Sequence, residues 1–338
     1  MAGTQRNNPG DRLSGSLRGK VALVAGATRG AGRAIAESLG AAGATVVCTG
    51  RSSRAGPARS ARNDPAGGAA SPFRLDTRPE TIEETAERVT ARGGRGIPMR
   101  VDHTVPEQVQ ALVATIRREH GRLDVLVNDV WGGDELTEWG RPFWELSLDK
   151  GRALLERAVT SHVITSRLAV PLMVERRAGL IVEITDGDSL YYRGNLFYDL
   201  AKLSVIRLAF AMAEELRPHG IAAVAVTPGF LRSEAMLEHF GASEGTWRAA
   251  AAQDANFLVS ETPYLLGRAV AALAADPALL ARSGGLFSSW GLRSDYGFTD
   301  ADGAAPDWGA HAAGQDFGRQ QRESHARFVA GCSGGGTR

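Results

Sequence analysis

Short apolar runs alternate with longer amphipathic segments along most of the chain. The first run is followed by a helical pattern that places Ile35 and Leu39 on one face. The apolar runs, which predict β-strands, lie at 21–25, 45–48, 96–102, 123–129, 179–185, 221–229 and 284–290. Further amphipathic segments, which predict helices, lie at 79–92, 106–119, 147–176 and 195–217.

This alternation of strands and helices predicts an α/β fold. Strands that are apolar without interruption are typical of a parallel sheet buried on both faces, because the crossover helices cover both sides. Six to seven such strands fit into one doubly wound sheet, so one domain explains the pattern more simply than two. We therefore predict a single domain over residues 18–292, with helices on both faces of its sheet.

Four segments fall outside this pattern. The chain begins with a polar leader at 1–17, and a stretch rich in glycine, alanine, proline and arginine at 53–76 indicates a surface insertion. Residues 231–258 are predicted to form a helical flap after a Thr-Pro-Gly turn. Residues 293–338 form a polar C-terminal extension, and we expect its last seven residues, CSGGGTR, to be disordered.

Composition and charge narrow the classes of function. The chain has 338 residues, 43% of them hydrophobic, and its formal net charge of +1 gives no electrostatic reason to expect nucleic acid or an anionic membrane as a partner. The two cysteines, Cys48 and Cys332, are too differently placed to suggest a disulfide framework. The histidines show no paired spacing, so no metal site is predicted. Because no apolar stretch reaches about 18 residues and no signal-peptide pattern is present, we expect a cytoplasmic protein.

A glycine-rich turn, GATRGAG, directly follows the first predicted strand. Its glycines at 26, 30 and 32 stand at the mouth of a helix, where backbone N–H groups and the helix dipole favour a bound phosphate. A tight strand-to-helix turn without a ligand is the alternative explanation of the same residues. Within a β-α-β unit, the turn predicts a Rossmann-type site for a dinucleotide.

The end of the second strand, TGRSSR, indicates which nucleotide is preferred. An NAD site places an acidic residue there, whereas this chain has Gly50 and Arg51, and Arg29 can approach from the glycine turn. Two guanidinium groups suit a 2′-phosphate, so NADP is favoured over NAD. Two solvated arginines would give the same pattern without any preference.

Tyr198 and Lys202 are four residues apart on a helical pattern and therefore lie on one face. A phenol with a pKa of about 10 is a poor acid–base group at neutral pH unless a nearby ammonium group stabilises its phenolate. The pair therefore predicts an acid–base site in which Lys202 lowers the pKa of Tyr198. Tyr191 and Tyr192 have no such partner and are expected to line a pocket or lie on the surface.

Five motifs together resemble the short-chain dehydrogenase/reductase family. They are GATRGAG after the first strand, Asp102 after the third, VND at 127–129, Tyr-x-x-x-Lys at 198–202 and Thr-Pro-Gly at 227–229. The resemblance implies that the tyrosine exchanges a proton with a carbonyl or alcohol oxygen as hydride passes to or from NADPH. It implies, with the glycine turn and the arginines, a cofactor site made of Gly26, Thr28, Arg29, Gly30, Ala31, Gly32, Arg51, Ser52, Asp102, His103, Asn128, Tyr198, Lys202, Pro228, Gly229 and Ser233.

The resemblance also assigns roles within this set. Asp102 would contact the adenine ring, Asn128 would support the strand beside the cofactor, and Lys202 would hold the nicotinamide ribose. The segment 227–229 would border the nicotinamide, and Ser233 would supply a hydroxyl to the cofactor.

Two departures from the family pattern affect the substrate side of the site. The family's Asn-Asn-Ala-Gly reads NDVWG at 128–132, and Trp131 would narrow the nicotinamide pocket. The family's serine, which binds the substrate oxygen, corresponds to Thr185 or to Asp186, depending on the alignment. An ionised Asp186 would repel an incipient alkoxide, so it must be protonated, turned away or part of different chemistry.

A third departure concerns the proton relay. The family's helix asparagine aligns with Ala158, and His162, one turn further on, is a candidate substitute, although a lone histidine on a helix is more often structural. The substitution of the helix asparagine and the histidine at 162 resemble the residues found in one branch of the family, that of dehydrogenase/reductase SDR family member 1.

The sequence therefore predicts an NADPH-dependent carbonyl reductase or alcohol dehydrogenase that acts on a small to medium organic substrate. A largely aromatic or apolar lining fits an uncharged ketone or alcohol, though Arg193 could receive a carboxylate. The alternative is a cofactor-binding sensor on the same scaffold that has lost catalysis. The resemblance also implies a homodimer or homotetramer built on the helices at 147–176 and 195–217. The residues expected to line the substrate pocket are Trp131, Tyr191, Tyr192, Arg193, Asn195 and Phe230.

Overall fold

Seven parallel strands form one sheet in the computed structural model, which describes residues 13–56, 72–73 and 78–333. The strands lie in the order β3-β2-β1-β4-β5-β6-β7. Their bounds are β1 Val21–Ala25, β2 Thr45–Gly50, β3 Arg95–Arg100, β4 Val125–Asn128, β5 Gly179–Ile184, β6 Ile221–Thr227 and β7 Leu286–Ser288. The predicted α/β fold with one doubly wound parallel sheet is confirmed.

Helices cover both faces of this sheet and continue into the C-terminal extension. Their bounds are α1 Gly30–Ala41, α2 Ile82–Ala91, α3 Pro106–His120, α4 Leu148–Leu155, α5 Ser161–Val174, α6 Leu196–Leu216, α7 Glu234–His239, α8 Pro263–Ala275, α9 Ser289–Tyr296, α10 Trp308–Ala313 and α11 Asp316–Ser333. The helix predicted at 147–176 contains one π-helical turn, Glu156–Thr160, between α4 and α5.

Continuous burial of the strands explains their apolar sequence. Successive strand residues point to opposite faces, so Val24 packs in a core layer with α1 and α8, and its neighbour Leu23 packs in a second layer with α3 and α5. Both side chains are fully buried. A strand with one solvated face would instead alternate apolar and polar residues.

The strand order fixes where a ligand can bind. β1 pairs with β2 on one side and with β4 on the other, so the connections that leave β1 and β4 diverge to opposite sides. Their carboxyl ends therefore border a crevice, which is where open parallel sheets bind ligands. The glycine turn after β1 and the NDVWG segment after β4 both lie at this edge.

The segments predicted outside the sheet are only partly described. Most of the leader and of the insertion at 53–76 lies outside the described residues. The flap contains α7 and two 3-10 segments, Trp247–Ala252 and Ala255–Val259. In the C-terminal extension, the predicted disorder of the last seven residues is wrong for Cys332 and Ser333, which complete the last turn of α11; residues 334–338 lie outside the described part.

The described residues contain neither a helix suited to cross a membrane nor a cluster of side chains suited to hold a metal ion. None of the helices within 13–56 and 78–333 combines the length and the hydrophobicity needed to cross a membrane. In the same part of the chain, no group of three or more His, Cys, Asp or Glu side chains is arranged to hold a metal ion.

Candidate functional site

The carboxyl ends of the strands open into a cleft of about 860 Å³. Its walls come from the glycine turn, the segment after β4, the loop between β5 and α6, the flap and the C-terminal extension. Of the residues predicted for the site, those lining the cleft are Gly26, Thr28, Arg29, Gly30, Ala31, Arg51, Ser52, Asp102, His103, Trp131, Thr185, Asp186, Tyr191, Tyr198, Lys202, Pro228, Gly229, Phe230 and Ser233.

The glycine turn is packed too tightly for side chains. Gly26 has a φ of +96°, and a Cβ there would come within 2.4 Å of the Asp129 carbonyl oxygen. A Cβ on Gly32 would come within 2.3 Å of the Gly26 carbonyl oxygen. Around Gly30, in contrast, no heavy atom comes closer than 3.8 Å to the position of a Cβ, so the backbone of the turn is open to the cleft.

A carboxylate from the flap already lies at the N-terminus of α1. The backbone N–H of Gly30 donates a hydrogen bond of 2.9 Å to Glu234 Oε2. The capping residue of this helix, Arg29, makes no capping hydrogen bond with its side chain, so Glu234 satisfies a donor that would otherwise lack a partner within the helix. The helix N-terminus therefore binds a carboxylate group, and no local pattern in the sequence indicates which residue reaches it.

The end of β2 carries positive charge as predicted, but its arginines are not alike. Arg29 lies 3.4 Å from Glu80 and donates to Ser52 Oγ at 3.4 Å, so its charge is balanced within the protein. Arg51 is half exposed, and its closest acidic partner, Asp102, lies 3.9 Å away. A Cβ added at Gly50 would come within 2.5 Å of Thr28 Oγ1, so the acidic side chain of an NAD site does not fit there without rearrangement.

His103 is buried behind this end of the cleft. Its ring nitrogens lie 2.8 Å from the hydroxyls of Thr49 and Thr165. Burial and the nearby His162 lower the pKa of His103 to about 4, so its ring is neutral at pH 7. The ring therefore supports the cleft wall through neutral hydrogen bonds.

The reactive hydroxyl predicted at Tyr198 lies in the cleft. Asn195 caps α6 by accepting hydrogen bonds from the N–H groups of Phe197 and Tyr198, which fixes the tyrosine in the first helical turn. The rings of Trp131 and Trp139 lie 5.4 and 5.0 Å from the Tyr198 ring. Two indoles thus enclose the phenol on the side of the segment that follows β4.

Asp186 accepts a hydrogen bond from the Tyr198 hydroxyl. Tyr198 donates to Asp186 Oδ2 at 2.8 Å, whereas the Thr185 hydroxyl donates to the Lys202 carbonyl oxygen at 2.8 Å. In the structure, the carboxyl group of Asp186 faces the tyrosine, and the hydroxyl of Thr185 is engaged with the backbone of α6.

The predicted acidification of the phenol is wrong. Burial raises the pKa of Tyr198 well above its ordinary value, and the charge and hydrogen bond of Asp186 raise it further. Lys202 Nζ lies 5.6 Å from the centroid of the Tyr198 ring but only 4.0 Å from that of Trp131, where it makes a cation–π contact. Burial also lowers the pKa of Lys202, an effect opposed by Asp186 and Asp129.

The two ring nitrogens of His162 have partners other than Lys202. Its Nδ1 lies 2.6 Å from Glu183 Oε2, and its Nε2 lies 3.0 Å from the Val130 carbonyl oxygen. Asn128 donates to the other oxygen of Glu183 at 2.7 Å, in line with the supporting role predicted for it. None of His162, Asn128 and Glu183 lines the cleft. They lie behind its wall and support the segment that follows β4 through the hydrogen bond of His162 to the Val130 carbonyl oxygen.

Three residues predicted to line the substrate pocket have other positions. The buried guanidinium of Arg193 donates to the carbonyl oxygens of Asp186, Ser189 and Tyr191 and to the Asp199 carboxylate, so it is not available to a substrate carboxylate. Asn195 is buried and caps α6 as described above. Tyr192 faces a second cavity beside the cleft.

Sequence reasoning missed several residues of the cleft. Asp129 replaces the second asparagine of the family motif, and burial raises the pKa of its carboxyl to about 7. Glu183, which lies behind the cleft wall, was also missed, although a carboxylate inside an apolar strand is visible in the sequence as a buried charge. Trp308, Gln321 and Arg322 of the C-terminal extension also line the cleft, and no local sequence pattern predicts that they do.

Comparison with known proteins identifies relatives of most of this chain. Residues 66–243 match the family model of short chain dehydrogenases. Dehydrogenase/reductase SDR family member 1 from Homo sapiens is 33% identical over 295 residues, which cover 86% of this chain and 86% of that protein. The protein of the same name from Mus musculus is 34% identical over 292 residues, 85% of each chain. The crystal structure of a short chain dehydrogenase from Mycobacterium thermoresistibile has the same fold, with a TM-score of 0.66 at 22% identity over 86% of this chain and 95% of that chain.

Proposed function

This chain belongs to the short-chain dehydrogenase/reductase family, whose members are oxidoreductases that use nicotinamide cofactors, and on that basis we propose that it transfers hydride between NADP(H) and a carbonyl or alcohol group. The observation that carries the proposal is the Tyr198 hydroxyl, which lies in the cleft at the carboxyl edge of the sheet with Lys202 one helical turn away. A protein that only bound the nucleotide would have no use for this pair.

The residues of the cleft fit a dinucleotide. The open backbone at Gly30 accepts an anion, as its hydrogen bond to Glu234 demonstrates, and would hold the phosphates. Arg51, with a single distant acidic partner among the described residues, would hold a 2′-phosphate, and Asp102 would approach the adenine. A bound reduced nicotinamide supplies the hydride.

In this proposal Tyr198 gives its proton to the substrate oxygen during reduction. Its raised pKa keeps the phenol protonated at neutral pH, so Tyr198 has a proton to donate in every catalytic cycle. Asp186 holds the hydroxyl in place and would have to carry a proton, or release the hydroxyl, when charge develops on the substrate oxygen. Lys202 Nζ would then balance the charge that remains on the tyrosine oxygen.

The effect of Asp186 on the tyrosine predicts a pH dependence. In the native protein, the loss of reduction that follows ionisation of Tyr198 should lie above pH 10, because the raised pKa of Tyr198 moves the loss of its proton to higher pH. Asp186→Asn removes the carboxylate charge and lowers that pKa, so the alkaline fall in kcat/KM should move to lower pH. In the oxidative direction the same change should raise the rate about tenfold for each pH unit that the pKa falls. The measurement is the pH profile of kcat/KM in both directions.

An unchanged profile in Asp186→Asn would contradict this account of the pair. Thr185→Ser serves as a control, because it keeps the hydroxyl that donates to the Lys202 carbonyl and leaves the carboxylate in place. Its profile should match that of the native protein.

Glu234 should compete with the cofactor for the helix N-terminus. Glu234→Gln keeps the size of the side chain but removes the charge that the Gly30 N–H now binds. We expect NADPH to bind about three- to tenfold more tightly to this variant, since one charge-assisted hydrogen bond no longer has to be displaced. Isothermal titration calorimetry of NADPH measures the change. Glu238→Gln, on the same helix, does not touch the glycine turn and is the control; weaker binding to Glu234→Gln would refute the competition.

A turnover assay tests the proposed function as a whole. Purified protein is mixed with NADPH or NADH and a panel of ketones, quinones and keto acids, and the absorbance of the reduced nicotinamide is followed. We expect oxidation of NADPH with at least one neutral ketone, and Arg51→Ala should lower the preference for NADPH over NADH about tenfold. Arg95→Ala, at an exposed arginine on β3 that does not line the cleft, is the control.

One observation favours the alternative, a nucleotide-binding sensor. A phenol whose pKa is raised by a carboxylate is a weak acid, which suits a protein that has lost turnover. For a sensor, NADPH would raise the melting temperature while none of the panel was turned over in either direction.

We also propose that the protein forms a homodimer or homotetramer through α5 and α6. Val163, Leu200 and Phe210 on these two helices are exposed apolar side chains, and a second copy of the same surface would cover them. Light scattering of the purified protein should give a mass of at least twice the 35.8 kDa of one chain.

A further inference from the structure

A second cavity of about 500 Å³ opens beside the cleft at the reactive hydroxyl. Asp186, Tyr191, Tyr198 and Gln321 line both spaces, so the two meet at the group that exchanges the proton. The remaining lining residues come from two sources, the loops that carry Trp139, Tyr192 and Arg193, and one face of α11 with Phe317, Gln320, Ser324 and Arg327.

The C-terminal helix is fixed as the wall of this cavity. The backbone N–H of Leu190 donates to His325 Nδ1 at 3.1 Å, and the N–H of Tyr192 donates to Ser324 Oγ at 3.0 Å. At the start of the helix, Phe317 stacks on Trp308 with a centroid distance of 5.6 Å. These hydrogen bonds therefore join the C-terminal extension to the loop between β5 and α6, and the second cavity lies between the two segments.

Apart from Phe317, the face of α11 toward the cavity is polar. Residues 317, 320, 321, 324 and 327 follow the spacing of one helix face, and a face that packed against a core would be apolar at these positions. Within the described residues, the side chains of Gln320, Gln321 and Arg327 have no hydrogen bond or ion pair with the protein. On the same helix but outside the cavity, Arg319 pairs with Asp316 and Glu323. Gln320 and Arg327 are exposed and Gln321 is half-buried, so these donors are free to hydrogen-bond a polar group of a ligand in the cavity.

Charge and aromatic surface divide the cavity into two ends. Asp186 at the inner end repels an anion, whereas the exposed Arg327 attracts one. Trp139 and Tyr192 are 57% and 54% exposed, an unusual state for two large aromatic side chains that lie on one cavity. These rings can cover a flat apolar body between the reacting carbon and the outer end.

We propose that this side cavity binds the distal part of the substrate, which is a ketone or alcohol whose reacting carbon carries an aromatic body that ends in an anionic group such as a carboxylate. The reacting carbon lies at Tyr198, the aromatic body lies against Trp139, and the anion lies at Arg327. The proposal rests on the proposed function, because it assigns the substrate class of the same site.

The test uses two probes that differ only in charge, an aryl methyl ketone with a para-linked alkanoate chain and its methyl ester. Arg327→Gln should raise the KM of the acid about fivefold, because one partly exposed charge pair is lost, and should leave kcat unchanged. The KM of the ester and the binding of NADPH should not change. Arg319→Gln on the same helix is the matched control and should leave both KM values unchanged.

A binding experiment separates this inference from the proposed function. Calorimetry with the corresponding aryl alkanoate lacking the ketone, in the presence of NADP⁺, should show binding that Arg327→Gln weakens about fivefold and that Trp139→Ala weakens as well. If the acid binds in this way but no ketone is turned over, the proposed function fails and the side cavity stands as an anion-binding site. If ketones are turned over and Arg327→Gln affects acid and ester equally or not at all, the inference is overturned alone. Absence of both turnover and binding overturns both.

Discussion

Tyr198→Phe should lower kcat/KM by about 10²- to 10⁴-fold for any substrate that the protein turns over, while the binding of NADPH stays within about twofold. The change removes one oxygen atom that lies in the cleft and donates to Asp186. Without it, the substrate oxygen has no proton donor at the place where charge develops. Steady-state kinetics measure the loss, and calorimetry measures the binding of the cofactor.

The control for this variant is Tyr264→Phe, which removes a tyrosine hydroxyl at a different place in the protein. The Tyr264 hydroxyl donates to Glu37 at 2.9 Å, away from the cleft, so its loss should leave kcat/KM unchanged. Circular dichroism and the melting temperature establish that both variants fold. If Tyr198→Phe kept more than about a tenth of the native kcat/KM, another group, with Asp186 the first candidate, would be the proton donor.

Glu183→Ala should lower the free energy of unfolding by about 3–5 kcal/mol. The Glu183 side chain is fully buried, lies 2.6 Å from His162 Nδ1 and accepts from Asn128 Nδ2 at 2.7 Å. Truncation leaves an imidazole and an amide without their partner in a dry interior, which costs more than the pair itself contributes. Denaturant unfolding with constant m-value measures the change.

Two further variants define the cause of this loss. Glu183→Gln keeps a hydrogen-bonding side chain of the same shape, so it should be destabilised less than Glu183→Ala. Glu175→Ala removes a carboxylate whose pair with Arg117 is exposed, and it should change the stability far less. If Glu183→Ala matched Glu175→Ala, the buried network would not be holding the segment after β4. Because His162 bonds the Val130 carbonyl oxygen, we also expect Glu183→Ala to weaken NADPH binding.

The sheet and its helices could be predicted from local patterns because their cause is local. The inner strands, such as β1 and β6, are covered on both faces, so burial leaves an uninterrupted apolar run where each of them passes through the core. The helical period placed Tyr198 and Lys202 on one face for the same reason, since four residues are about one turn of any α-helix. The glycines at 26 and 32 could be predicted because backbone packing at that turn excludes a Cβ.

The choice between Thr185 and Asp186 could not be made from the sequence. The two residues are adjacent at the end of β5, where a shift of one position turns a side chain from one side of the chain to the other. Which side meets Tyr198 depends on the path of the whole loop from Asp186 to Asn195. Arg193 fixes that path by donating to three carbonyl oxygens of the loop, and its guanidinium is thereby unavailable to a substrate carboxylate.

The sequence by itself determined the fold, the glycine turn and the tyrosine–lysine pair, because each follows from burial or from a period within one segment. Only the tertiary structure decided how acidic the tyrosine is and what surrounds it. The pKa of Tyr198 reflects burial and charges summed through space, and Asp186 outweighs the lysine one turn away. In the same way Glu234 reaches Gly30, and α11 closes the second cavity, across separations in sequence that no local pattern records.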